Sequence, residues 1–234
     1  MSLRNALRPR NVFDYTRRLV ESGECKLALD IGCGNSSPLS ALRPRISTIG
    51  VDAYPEAIEI ARKKGLHDQY IIADILKEDP ESLLKHSQIS GKCDIVGLYG
   101  VIEHLPKRLS YDLLERCEKL TSKYIIVETP HGFVEQGPEF GNEFQRHLSG
   151  WFIHDFEGLG YKVYGATGTR YLRGYMAGPR YSFPGCIMFD EILTLFLRIN
   201  DHPRHAFNLI AIKDVRGTPA RYGAEMQNMT ERKG

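Results

Sequence analysis

Apolar residues fall in short blocks along the first two-thirds of the chain, and two periods alternate. Five blocks are continuous: KLALDI (26–31), STIGVD (47–52), QYIIADI (69–75), CDIVGLY (93–99) and YIIVET (124–129). Unbroken apolar runs of this length suit strands covered on both faces. The segments between them have helical period. Pro55 opens AIEIARKK and Gly65 closes it, a start and a stop for one helix. A second helix is predicted from Pro80 to Gln88. A third is marked by Leu109, Leu113, Cys117 and Leu120, spaced four, four and three. Strands alternating with helices predict an α/β fold, a parallel sheet with helices on both faces.

The last third changes character. Residues 130–149 read as a long loop rich in Gly, Pro and polar side chains. A helix is predicted over 150–159, burying Phe152, Phe156 and Leu159. YKVYG (161–165) and AFNLIAIK (206–213) predict two more strands. Between them, 168–186 suggests an insertion or lid, and 187–199 an apolar helix. The favoured place for that helix, with Met188, Phe189, Ile192, Leu193, Phe196 and Leu197, is the core. A dimer surface or a lipid-facing lid is the second choice. The organisation predicted is one domain over 1–215, with 168–200 as lid and apolar helix, then a flexible tail over 216–234.

Composition narrows the class. The chain has 234 residues, 42% hydrophobic and 26% charged, with a net charge of +2, which is the balance of an ordinary globular domain. So small a charge disfavours a dedicated nucleic-acid binder. Cys25, Cys33, Cys93, Cys117 and Cys186 are odd in number and lack a C-x-x-C pair. Reduced thiols in the cytoplasm are expected, not a disulfide framework or a zinc site. MSLRNALRPR lacks the apolar stretch of a signal peptide. The 187–199 run is broken by Asp190, Glu191 and Arg198 and is too short to span a bilayer. Arg8, Arg10, Arg17 and Arg18 are expected in solvent.

The strongest chemical signal is LALDIGCGN (27–35). Asp30 closes the first strand, and Gly32-Cys33-Gly34 permits a sharp turn with close ligand approach. Ligands bind at this carboxyl edge of an open α/β sheet. Ser37 stands where a third glycine would serve a pyrophosphate, so a dinucleotide is poorly supported. Asp52 ends the second strand, 18 residues after Gly34, where an acid hydrogen-bonds a ribose diol. Asp74-Ile75 offers a carboxylate for an adenine amino group and an apolar cover for the ring; a helix cap is the second reading of Asp74. LYGVIEHLP (98–106) follows the fourth strand.

Asp30-x-Gly32-Cys33-Gly34, Asp52, Asp74-Ile75 and Glu103-His104-Leu105-Pro106 together resemble the class I S-adenosylmethionine-dependent methyltransferases, in particular the type 11/12 group. The resemblance is best over residues 25–130. It implies a Rossmann-like seven-stranded sheet of order 3-2-1-4-5-7-6, with AFNLIAIK as the antiparallel last strand. It implies that Asp30, Gly32 and Gly34, with Cys33 between them, face the methionine part of S-adenosylmethionine. Asp52, beside Ala53, would hold the ribose, Asp74 and Ile75 the adenine, and Tyr99 would lie near the methionine. Residues 129–174 are also similar to methyltransferases of sugar and polysaccharide modification. Those carry P-N-G-F, H-x-S-G-W and L-R-G segments, with His131 here in place of the Asn.

The implied reaction is direct in-line methyl transfer to a hydroxyl of a small molecule or glycan. Positioning supplies much of that rate, and a base is needed only if the acceptor must lose a proton. His104, His131 and His147 are the candidates on the acceptor side. Each has a plainer alternative as a loop-holding histidine. Glu103-His104 with a later His147 is also similar to the Mg²⁺ segment E-x-x-E-H of quinone-precursor and RNA O-methyltransferases, but Gly100 stands at its first carboxylate, so no metal is expected. Arg170, Tyr171, Arg173, Tyr175, Arg180 and Tyr181 interleave charge and rings, either to grip a phosphate, a sugar nucleotide or single-stranded nucleic acid, or as a solvated lid. The runner-up within the class is a metal-assisted RNA or quinone-precursor O-methyltransferase, and two other classes stay open: a binding module without turnover, and a nucleotide-dependent dehydrogenase or epimerase, disfavoured by the missing third glycine and the missing Tyr-x-x-x-Lys.

Overall fold

A computed structural model describes residues 11–86, 91–138, 142–174 and 177–216. Its seven strands are β1 (Leu27–Ile31), β2 (Ser47–Asp52), β3 (Gln69–Ile72), β4 (Cys93–Tyr99), β5 (Thr121–Pro130), β6 (Lys162–Thr169) and β7 (Ala206–Asp214). They form one sheet of order β3-β2-β1-β4-β5-β7-β6, the order the resemblance implies. The first five run parallel, and β7 lies antiparallel between β5 and β6. The helices are α1 (Val12–Glu21), α2 (Pro55–Lys64), α3 (Pro80–His86), α4 (Lys107–Leu120), α5 (Ile153–Glu157) and α6 (Cys186–Phe196).

The continuous apolar strands explain the layering. Alternate side chains of a strand point to opposite faces. Leu29 and Ile31 of β1, Val96 and Leu98 of β4 and Ile125 and Val127 of β5 pack with Leu113, Leu114, Cys117 and Leu120 of α4. Ala28, Ile95 and Ile126 turn the other way, onto Val12 and Val20 of α1 and onto Leu39, Leu42 and Ile46. Two cores therefore sandwich the sheet. Leu109, the first member of the α4 apolar series, is exposed and does not join them.

Several boundaries depart from the sequence pattern. α1 has no run of apolar residues to announce it. Thr16 sits where its apolar stripe should continue, and its hydroxyl is satisfied by Val12 O at 2.9 Å. Asn11 caps it by accepting from Asp14 N. Arg17 in this helix is half-buried beside Asp14 and Phe13, while Arg18 is exposed. β3 stops at Ile72, so Asp74 and Ile75 lie in a turn, with Asp74 accepting from Leu76 N. β6 runs on to Thr169, past the predicted end, through a bulge where Thr167 takes φ +64°. α5 is short; Phe156 is buried but Phe152 is exposed. Gln88, Tyr175, Arg8, Arg10 and the tail beyond 216 lie outside the described residues.

The largest departure is α6. It was expected in the core, yet only Cys186 and Asp190 are buried, and Met188, Phe189, Ile192 and Phe196 are exposed. α6 meets β6 through Asp190, which accepts from Thr169 of that strand. Among the described residues, no helix is long and apolar enough to cross a membrane. All five cysteines are free and buried.

Candidate active site

Two adjoining clefts open at the carboxyl edge of the parallel strands. The first, of about 190 Å³, is lined by Gly32, Gly34, Asp52, Ala53, Asp74 and Ile75 among others. The second, of about 450 Å³, is lined by Tyr99, Glu103, Glu128, Gln136, His147 and Asn208 among others. Gly100, His104 and Gln145 line both.

The turn after β1 needs its glycines. Gly32 has φ +67° and Gly34 φ +52°, a left-handed backbone that side chains rarely adopt. A Cβ on Gly32 would also meet Val101 at 2.7 Å. Asp52 holds the turn in place: Oδ2 accepts from Gly34 N at 2.9 Å and Oδ1 from Tyr54 N at 2.8 Å. Burial pushes the Asp52 carboxyl above its ordinary range, and the two N–H donors pull it back down. Asp74 offers one oxygen to Leu76 N, while Lys77 lies 3.0 Å from the other. Ile75 is buried at the cleft floor.

Asp30, Cys33 and Tyr99 sit elsewhere. Asp30 is buried behind the turn, accepting from the Ser37 hydroxyl, with the enclosed His67 Nε2 at 3.4 Å. The Cys33 side chain is packed away from the first cleft, and burial raises its thiol pKa. Tyr99 lies over Gly97 and lines the second cleft, not the first. Asp30 and Cys33 therefore shape the turn from beneath.

The three histidines separate. His104 and His147 come together, ring centroids 4.8 Å apart. His147 Nδ1 lies 2.6 Å from Val134 O and His104 Nδ1 3.2 Å from Arg146 O. Glu103 is buried between β4 and β5; its Oε2 accepts from Thr129 Oγ1 at 2.9 Å, and burial pushes its carboxyl up to about 7. His131 lines neither cleft. Its Nδ1 lies 3.3 Å from Ala206 O, and both ring nitrogens lie 3.3 Å from an Arg170 guanidinium nitrogen. Burial first, then the Arg170 charge, holds His131 below its ordinary value. Arg170→Ala is expected to move the His131 titration upward, toward the ordinary value near 6.5, as read by NMR of the ring nitrogens. A titration that stays put would mean the cation does not face the ring.

Glu128, Gln136, Gln145 and Asn208 also line the second cleft and lie outside the sequence motifs. Glu128 of β5 lies beside Tyr99 of β4 in register, and Asn208 of β7 pairs with Pro130 of β5. Asn208 Nδ2 donates to Glu128 Oε1, and Asn208 Oδ1 is shielded with no partner among the described residues. The asparagine inside the apolar run AFNLIAIK was the available clue. Gln136 and Gln145 sit in the long loop, joined by a side-chain bond to Gln145 O.

Comparison with known proteins bears on the class. Residues 29–123 match the methyltransferase domain family. No curated protein sequence matches the chain. A SAM-dependent methyltransferase from Archaeoglobus fulgidus is 19% identical, with 87% of this chain and 95% of that one covered and a TM-score of 0.51. The plantazolicin methyltransferase BpumL, solved with a pentazolic desmethylPZN analog and SAH, is 19% identical over 86% of this chain and 82% of its own, with a TM-score of 0.52. The methyltransferase domain of bacterial CtHen1-C is 16% identical over 88% and 97%, with a TM-score of 0.53. Residues 29–123 are thus similar to a methyltransferase domain, and the chain has the fold of the class I S-adenosylmethionine-dependent methyltransferases.

Proposed function

We propose that the chain transfers a methyl group from S-adenosylmethionine to a hydroxyl of a small molecule or glycan by direct in-line displacement. The observation that carries this reading is the pair of clefts sharing Gly100, His104 and Gln145. The first suits an adenosine. Asp52 can take a diol, Asp74 an amino group, Ile75 covers a ring, and the Gly32 turn admits the chain beyond. S-adenosylmethionine, when bound, supplies an electrophilic methyl group. BpumL, a relative in fold, was solved with SAH.

The second cleft suits a polyhydroxylated acceptor. Asn208 Oδ1, shielded and unpaired, needs a donor, and Glu128, Gln136 and His147 add acceptors and donors around it. The Asp/Asn-Pro-Pro-Tyr segment of many amino-group methyltransferases is replaced by LYGV. His147 is placed to receive a hydroxyl proton through Nε2 if its Nδ1 stays on Val134 O. We read residues 1–215 as one catalytic domain, working in the reducing cytoplasm that free cysteines suit.

The test has two parts. Calorimetry is expected to show S-adenosylhomocysteine binding and no NAD⁺ binding; the reverse would point to a dehydrogenase. Transfer of labelled methyl to sugar nucleotides and glycans is expected in preference to RNA or protein. His147→Ala is expected to lower turnover while leaving S-adenosylhomocysteine affinity unchanged. Full turnover in that variant would remove His147 from the acceptor side. Persistent binding with no labelled product would favour a module without turnover.

A second reading, metal assistance, is favoured by one observation. One ligand atom from each of Glu103, His104 and His147 lies within 4.8 Å of the others. Nδ1 of each histidine lies near a backbone carbonyl, which would leave Nε2 as the ligand atom. Gly100 supplies no fourth ligand. Calorimetric titration with Mg²⁺ and Mn²⁺, and turnover in a chelator, separate the readings: turnover that survives chelation sinks this one.

A further inference from the structure

α6 is amphipathic, and its apolar side faces out. At 100° per residue, Met188, Phe189, Ile192, Leu195 and Phe196 fall on one stripe, the i, i+1, i+4, i+7, i+8 pattern of a helix packed on a neighbour. Their exposures are 65%, 50%, 57%, 59% and 81%. The inward face is held by a charge instead. Asp190 is buried, its Oδ1 accepting from Thr169 N and Oγ1 and its Oδ2 from Arg173 Nε. It lies so close over Gly168 that a Cβ there would meet Oδ2 at 2.3 Å. Turning α6 to bury its stripe would strand that carboxylate, so the outward orientation is fixed by the strongest contacts the helix makes.

The stripe is large. At half exposure or more, five such side chains offer on the order of 500 Å². Exposed Ile187 and Phe183 lie next to it in sequence. Single apolar patches on monomers reach roughly 300–600 Å². A specific interface has to clear about 1,000 Å² in total, about 500 Å² per partner.

We propose that this face is the interface between two copies of the chain, α6 packing on α6 about a two-fold axis. Two facts choose a second copy over a lipid surface. α6 has no Lys or Arg, and exposed Glu191 borders the stripe, whereas a helix lying on a membrane carries a basic polar face. The 4-3 spacing of Met188, Ile192 and Leu195 is that of a helix–helix contact, and an identical stripe on each copy is self-complementary. Ile192 is the middle of the stripe, so it meets itself across the axis whichever way the helices run.

Sedimentation velocity on the full chain tests this across a micromolar range. The wild type is expected to sediment as a dimer, and Ile192→Glu as a monomer with an unchanged melting temperature. Ile192→Cys is expected to form a self-disulfide without reductant. Exposed Ile60→Cys on α2 is the control and is expected not to, since the five native thiols are buried. A wild-type monomer overturns the proposal. If that monomer also floats with phosphatidylserine vesicles, the stripe is a lipid contact. A dimer that survives Ile192→Glu and gives no Ile192→Cys crosslink places the interface elsewhere and overturns it equally.

Discussion

Asp52→Ala is expected to weaken S-adenosylhomocysteine binding by roughly ten- to a hundredfold, the loss of about 1.5–3 kcal/mol that a charge-assisted hydrogen bond carries. Two effects add. The carboxylate lines the first cleft, where it can accept from a ribose diol. It also accepts from Gly34 N and Tyr54 N and so holds the turn that the ligand must pass. Removing it leaves both N–H groups seeking water and frees a glycine turn to sample other conformations. The two contributions separate in a cycle with a 2′,3′-dideoxy analogue. If the diol contact dominates, the analogue binds wild type and variant alike. If the turn dominates, both ligands weaken together. Unchanged affinity for S-adenosylhomocysteine in a folded Asp52→Ala protein would remove Asp52 from the site.

The same residue shows why the first cleft was legible in the chain. Asp52, Gly32, Gly34, Asp74 and Ile75 each stand within a few residues of a strand end, and strand ends follow from short continuous apolar runs. Strand order then brings those ends to one edge without further information. The second cleft is built differently. Glu128 and Asn208 come from β5 and β7, 80 residues apart, and meet through an antiparallel register that no local pattern encodes. His131 follows a strand end as the others do, yet it lines neither cleft. Its ring nitrogens lie against Ala206 O and Arg170. α6 misled for a related reason. A period of 3.6 says that one helix face is apolar, not that the chain's own core covers it. The deciding residue was Asp190, whose partners Thr169 and Arg173 lie up to 21 residues away.

Trp151→Ala is expected to cost roughly 3–5 kcal/mol, the usual penalty for emptying a fully buried aromatic site. At about 2–4 °C per kcal/mol for a domain of this size, the melting temperature falls by roughly 6–20 °C. Trp151 is fully buried, with Tyr111 edge-on at 5.3 Å, Phe156 at 5.1 Å and the Lys107 ammonium 5.0 Å from the ring. Its Nε1 donates to Ser149 Oγ, which in turn donates to Ile102 O. Its backbone oxygen accepts from Gly132 N at 2.7 Å, and Leu148 N and Ser149 N donate to Glu103 O. The ring therefore anchors the loop that carries His147 against the turn that carries His104. Losing it is expected to lower turnover more than cofactor affinity, because the first cleft takes little from this loop beyond Phe144 and Gln145. Trp151→Phe keeps much of the volume but not the Ser149 bond, and should fall between. Thermal unfolding followed by calorimetry measures both variants. A Trp151→Ala melting temperature close to wild type would mean the loop closes the second cleft without the tryptophan holding it.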